Sequence, residues 1–134
     1  MFKKNKVNSI QTLIDESMNI RGNMSFSGGL RLDGKLTGNL TIIEGEAGTV
    51  IMGEKSKITG NINTHTAIIA GEVKGDICAS EYLELHSKAI VKGDIEYKLI
   101  EIHAGAKVHG KLIELPEVKK KAIDKENKKN DGRN

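Results

Sequence analysis

Few residues of this 134-residue chain have chemistry of their own. The run Gly48-Thr49-Val50-Ile51-Met52-Gly53-Glu54-Lys55-Ser56 has the outline of a phosphate-binding loop, but Glu54 stands where the lysine should follow the second glycine. An acid there repels phosphate, so the run reads as a solvated turn and no nucleotide or other cofactor is expected. Two of the four histidines, His86 and His103, fall 17 residues apart, directly after Leu85 and Ile102. A zinc centre wants at least three protein ligands, and Cys78 lies elsewhere in its repeat. The pair therefore reads as a stacked surface ladder, with Glu84 over Glu101 beside it, and no metal is expected. Cys78 is the one cysteine, which excludes an internal disulfide and fits a reducing compartment. No catalytic residue is expected.

Charge points to a middle and two tails. Residues 20 to 115 hold eleven bases and twelve acids, so the overall +3 arises at the ends, where Lys3, Lys4 and Lys6 stand without an acid. A near-neutral body argues against a nucleic-acid groove, which needs bases clustered on a folded face. The aromatics Phe2, Phe26, Tyr82 and Tyr97 are too few for a base-stacking platform, and aliphatic side chains must fill the interior. No apolar run follows the N-terminal lysines and no stretch approaches the length of a membrane span, which leads to an expectation of a cytoplasmic protein.

The elements that organise these residues come from a repeat. One pattern, apolar, any, Gly, polar, apolar, recurs six times: Ile20 to Met24, Leu36 to Leu40, Ile58 to Ile62, Val73 to Ile77, Val91 to Ile95 and Val108 to Leu112. Successive copies start 16, 22, 15, 18 and 17 residues apart. Between them lie period-2 pairs such as Leu30 and Leu32, Val50 and Met52, Leu83 and Leu85, and Ile100 and Ile102. Period-2 alternation predicts strands, and a repeat of about 17 residues fits one coil of a solenoid. Six coils of an all-β parallel helix would stand about 25 to 30 Å tall at the spacing of paired strands. The repeat glycine either points inward at a narrow place or turns a corner; the pattern leaves both readings open. The 22-residue interval, with Glu44 to Gly48 and Gly53 to Lys57, predicts extended surface loops on the third coil.

Ser9 to Ile14, Ile20 to Leu36 and Ile95 to Leu112 resemble the opening and closing coils of bactofilins, and the similarity covers roughly residues 9 to 115. The resemblance implies a right-handed β-helix and end-to-end polymerisation without nucleotide, joining like ends. It also implies attachment to the inner face of the cytoplasmic membrane and a scaffold role in cell shape or in positioning cell-wall enzymes. The expected organisation is a flexible tail over 1–11, the β-helix over 12–115 and a disordered, charged tail over 116–134. Polymerisation has separate physical support: a β-helix that stops exposes an unpaired strand at each end. Leu13 and Ile14 at one end and Leu112, Ile113 and Leu115 at the other are the expected interface. Met1, Phe2, Lys3, Lys4 and Lys6 resemble the family's membrane-targeting peptide; Lys119, Lys120 and Lys121 read as part of a solubilising spacer. Two other readings are weighed. Left-handed β-helix acyltransferases and related carbonic anhydrases share the coil length, and Leu30, Leu36 and Ile42 keep their six-residue beat, but Gly48 and Glu54 break it. A non-polymerising scaffold would use one face of the helix to bind a partner.

Overall fold

A computed structural model describes residues 9–116, all of them strand, turn or irregular backbone with no helix. Six coils follow one another. The first holds β1 (Ile10–Ile14), β2 (Asn19–Arg21) and β3 (Met24–Phe26); the second holds β4 (Gly28–Leu32), β5 (Lys35–Thr37) and β6 (Leu40–Ile42). In the third, β7 (Gly48–Met52) and β8 (Lys57–Thr59) lead into β9 (Ile62–Ile69), which continues through a corner into the fourth coil. That coil passes through β10 (Glu72–Lys74) into β11 (Ile77–Leu85), again continuous through the corner, and the fifth adds β12 (Ile90–Lys92) and β13 (Ile95–Tyr97). The last consists of β14 (Ile100–Ile102), β15 (Lys107–His109) and β16 (Leu112–Glu114).

All pairings are parallel and each strand pairs with its counterpart one coil away, so three faces arise, each six strands deep. The middle face, β2-β5-β8-β10-β12-β15, forms a separate sheet without register shifts. Its inward column is Ile20, Leu36, Ile58, Val73, Val91 and Val108, all six of them repeat positions. Alternation then dictates the rest. In the interior coils Leu30, Leu32, Val50, Met52, Ile62, Ile69, Ile77, Leu83, Leu85 and Ile95 are at most 1% exposed. Burying each such side chain contributes about 1.5 to 3 kcal/mol, which lets an aliphatic interior hold the coil with only Phe26 and the half-buried Tyr97 as aromatic support.

The repeat glycine turns a corner. Gly22, Gly38, Gly60, Gly75 and Gly93 adopt φ between +126° and +158°. A Cβ on any later member of the column would lie 2.0 to 2.1 Å from the carbonyl oxygen of the glycine one coil earlier. The polar residue that follows ties the corner together: Oδ1 of Asn23, Asn39, Asn61, Asp76 and Asp94 each accepts the backbone N–H of the equivalent residue one coil on, at 2.8 to 3.0 Å. The 22-residue interval is absorbed by an exposed turn over residues 43–47 and a corner at Gly53 to Ser56, as the spacing predicts. The phosphate-loop lookalike dissolves into this scheme. Gly48 opens β7, Val50 and Met52 point inward, and Ser56 donates from N and Oγ to the Gly53 carbonyl.

Candidate functional site

Among the described residues, each end of the coil stack leaves inward positions without a covering neighbour. At the C-terminal end Ile102 is 44% and Leu112 45% exposed, although their columns are closed one coil earlier by Leu85 and Ile95. At the N-terminal end Ile14 and Phe26 are buried, while Ile20 and Met24 are half-buried. Of the residues expected at the interface, Ile14 and Leu112 occupy inward columns of the end coils. Leu13 pairs with Arg31 and Ile113 with Glu96, so both point outward from the sides of the stack. Leu115 follows the last strand, half-buried, and its N–H donates to the Tyr97 carbonyl at 2.7 Å. Ile20, Met24, Phe26, Ile100, Ile102 and Val108 join the two ends and were missed, although the repeat register that placed Leu112 would also have placed them.

The C-terminal end carries two polar marks. Lys111 takes the ladder position after Asp94, and an ammonium has no acceptor to offer a further coil. Glu114 stands in the column of Tyr97 and Ala79, an inward position on an open strand. Inward charges on edges are a known way to limit strand addition.

The sides of the stack differ sharply in charge. The middle face presents Arg21, Lys35, Lys57, Lys74, Lys92 and Lys107 outward, six of the eleven bases between residues 20 and 115, but Glu72 is its one acid of the twelve. Lys35 lies opposite Lys57 and Lys74 opposite Lys92, and Glu72 reaches Lys92 at 3.5 Å. Like charges directly across a sheet are destabilising. The near-neutral sum over the body thus conceals the clustered bases that the composition argument took to be missing.

A second charged group spans the last two coils. Glu84 pairs with Glu101, and the rings of His86 and His103 stack with centroids 4.8 Å apart, as the 17-residue spacing predicts. Glu84 Oε2 lies 2.7 Å from His103 Nε2 and 3.4 Å from His86 Nε2. Tyr82 has one hydroxyl proton to donate, 2.9 Å from Glu101 Oε1 and 3.2 Å from Glu84 Oε1. The His103 hydrogen bond lowers the Glu84 carboxyl below its usual range, against partial burial that raises it. The hydrogen bond to Glu101 and then desolvation push the Tyr82 phenol up to about 12. Cys78 points outward beside Glu96, and burial followed by that carboxylate pushes its thiol up, away from the thiolate a nucleophile requires.

The expected membrane contacts Met1, Phe2, Lys3, Lys4 and Lys6, and the lysines Lys119 to Lys121, lie outside the described residues. Among the described residues no helix is long and apolar enough to cross a membrane.

Comparison with known proteins points to one family. A family model described as "Bactofilin: Polymer-forming cytoskeletal" matches residues 12–113. Two relatives from Myxococcus xanthus (strain DK1622) are similar: Bactofilin BacO, 29% identical over 111 residues, 83% of this chain and 85% of that protein, and Bactofilin BacP, 29% identical over 101 residues, 75% of this chain. The match spans only 40% of the length of BacP. No solved structure matches.

Proposed function

The chain belongs to the bactofilins, a family of polymer-forming cytoskeletal proteins, and on that premise we propose that it polymerises by stacking its end coils, without nucleotide, into filaments that lie on the cytoplasmic membrane. The observation that carries this reading is the exposure of Ile102 and Leu112 in columns that are closed one coil earlier. Each interior coil is covered above and below; among the described residues nothing covers the open side of an end coil, and a second molecule can supply that cover. Covering two or three such side chains, already more than half buried, contributes about 1 kcal/mol each, before the strand-pairing of the open backbone is added. Like ends meet in this reading, because Lys111 offers no acceptor for a ladder continuing into the Asn23 position of a second copy.

The membrane part of the proposal draws on two sources of positive charge. The N-terminal Met1, Phe2, Lys3, Lys4 and Lys6 join an apolar tip to cations, and the middle face adds its row of bases, repeated along a filament. Each base near an anionic surface contributes about 1 kcal/mol, so the three lysines of a single tip hold weakly and tips repeated along a polymer hold firmly. On the membrane such filaments serve as a scaffold for cell-wall enzymes or cell shape.

Negative-stain microscopy of the purified, nucleotide-free chain tests the polymer, and sedimentation with anionic vesicles tests the surface. Wild type should pellet with vesicles, while a chain lacking residues 1 to 7 should form filaments yet bind far less. If purified wild type stays monomeric at high concentration, the stacking proposal fails; if the truncated chain pellets as well as wild type, the N-terminal anchor fails and the middle face becomes the principal contact.

A further inference from the structure

Glu84, His86, His103 and Glu101 form a cluster that the polymer reading leaves unused. Both Nε2 atoms lie near one carboxylate oxygen, Glu84 Oε2, at 2.7 and 3.4 Å, and Glu101 Oε2 stands 3.6 Å from His103 Nε2. Roughly 2.0 to 2.1 Å separates zinc from its nitrogen and oxygen ligands, which in a tetrahedron puts ligand atoms about 3.3 Å from each other. The three distances bracket that value, and the ligand atoms of Glu84, His86 and His103 all fall within 4.8 Å of one another. We propose that these residues form a binding site for a divalent transition metal of the zinc class, with Glu101 as the fourth ligand, that staples the terminal coil to the one before it.

Chemistry and charge support the assignment. Two imidazole nitrogens select zinc, cobalt or nickel over magnesium or calcium, which prefer all-oxygen shells. Glu84 and Glu101 face each other in strict register on neighbouring strands, a like-charge pair that costs stability unless a cation lies between them. A dication balances the two carboxylates and leaves both histidines neutral, the form that ligates. The Tyr82 hydroxyl contacts the other oxygen of each carboxylate, Oε1 in both cases, leaving Oε2 directed at the imidazoles. Such outer contacts orient ligands and tune affinity. The side chains of both histidines are about two-fifths exposed, so a metal can enter and the rings can tilt toward it without disturbing the core.

The geometry also gives the site a consequence. His86 and Glu84 belong to the fifth coil, whereas His103 and Glu101 belong to the sixth, an end coil that among the described residues has one covering neighbour. A metal bridging them fastens an end coil to the stack.

The test uses the full chain, freed of metal by a chelator and then titrated with zinc or cobalt. Expected are one metal per chain by calorimetry and the intense visible bands of four-coordinate cobalt. Amide exchange over residues 100 to 114 should slow by at least about 10-fold on zinc addition, a local-opening readout. His103→Ala and His86→Ala should each weaken binding at least about 10-fold, and Tyr82→Phe by about 10-fold through ligand orientation alone. His65→Ala and His109→Ala, on histidines outside the cluster, should change nothing. Circular dichroism of each variant separates lost binding from lost fold. Binding that survives in His103→Ala with intact β-structure overturns the proposal. So does zinc protection spread evenly over the chain, or weak binding of several metals per chain.

Discussion

The interior coils and the end coils are built from the same repeat, yet they live in different solvents. Val91 and Val108 occupy one column, as do Ile95 and Leu112; the first of each pair is fully buried, whereas Leu112 is 45% exposed. Their apolar positions are equivalent in the repeat, although Lys111 stands where the earlier copy has Asp94. The difference is whether a further coil lies on top, which shows that in this fold burial belongs to the stack and not to the residue. A solenoid of this kind is stabilised by nearest-neighbour contacts, so its ends retain unrealised stabilisation that another copy can supply.

The contrast is broken most severely from the inside. Ile77→Asp puts a carboxylate into the closed column between Ile62 and Ile95 and should destabilise the fold on the order of 4 kcal/mol or more, leaving no cooperative β-sheet melt by circular dichroism. A melt indistinguishable from wild type would mean that the column is open. Leu112→Arg makes the equivalent change on the end coil. There the charge stays in water until a second copy arrives, so the monomer melt should move by no more than about 1 kcal/mol while filaments vanish from micrographs. Normal filaments from this variant would place the junction elsewhere, and Ile14→Arg would then examine the opposite end. Glu114→Ala acts in the other direction. Removing the inward charge on the open strand should lower the concentration needed for assembly by about 5-fold, the equivalent of about 1 kcal/mol, measured by pelleting; an unchanged threshold would show that this column is not part of the junction.

The smallest effect concerns the tie between interior and end. Tyr82 is held near 12 in the fold against about 10 in an unfolded chain, because its hydroxyl donates to Glu101 and the site is partly desolvated. A raised acid pKa stabilises the fold fully below pH about 10, and the contribution is lost as pH rises toward 12. The stability difference between wild type and Tyr82→Phe in urea should therefore shrink across that window, and a constant difference would show that the hydroxyl contacts are not made. The Glu84 shift runs the opposite way. Its lowered carboxyl stabilises the fold above the usual carboxylate range and loses that contribution as the pH falls through the lowered value.

The sequence by itself determined the number of coils, the inward column of the middle face, the period-2 pairs beside it and the stacking of His86 on His103 and Glu84 on Glu101. These follow from a two-residue alternation inside a period of about 17, both of which can be counted along a chain. It also showed that the ends lack an obvious cover. Three matters were decided only by the folded molecule. Whether the repeat glycine points inward or turns a corner depends on the contact of its backbone with the coil before, which a single repeat does not contain. Leu13 and Ile113 point outward because the strand register places them beside Arg31 and Glu96, a parity that one residue at a corner reverses. The basic face was hidden for a related reason. Its six bases are separated by 14, 22, 17, 18 and 15 residues, and only when turns of unequal length are taken up at the corners do these spacings fall on one sheet. Glu84 was legible beside the histidines as the residue stacked on Glu101, but its approach to both imidazoles depends on side-chain conformation and not on spacing.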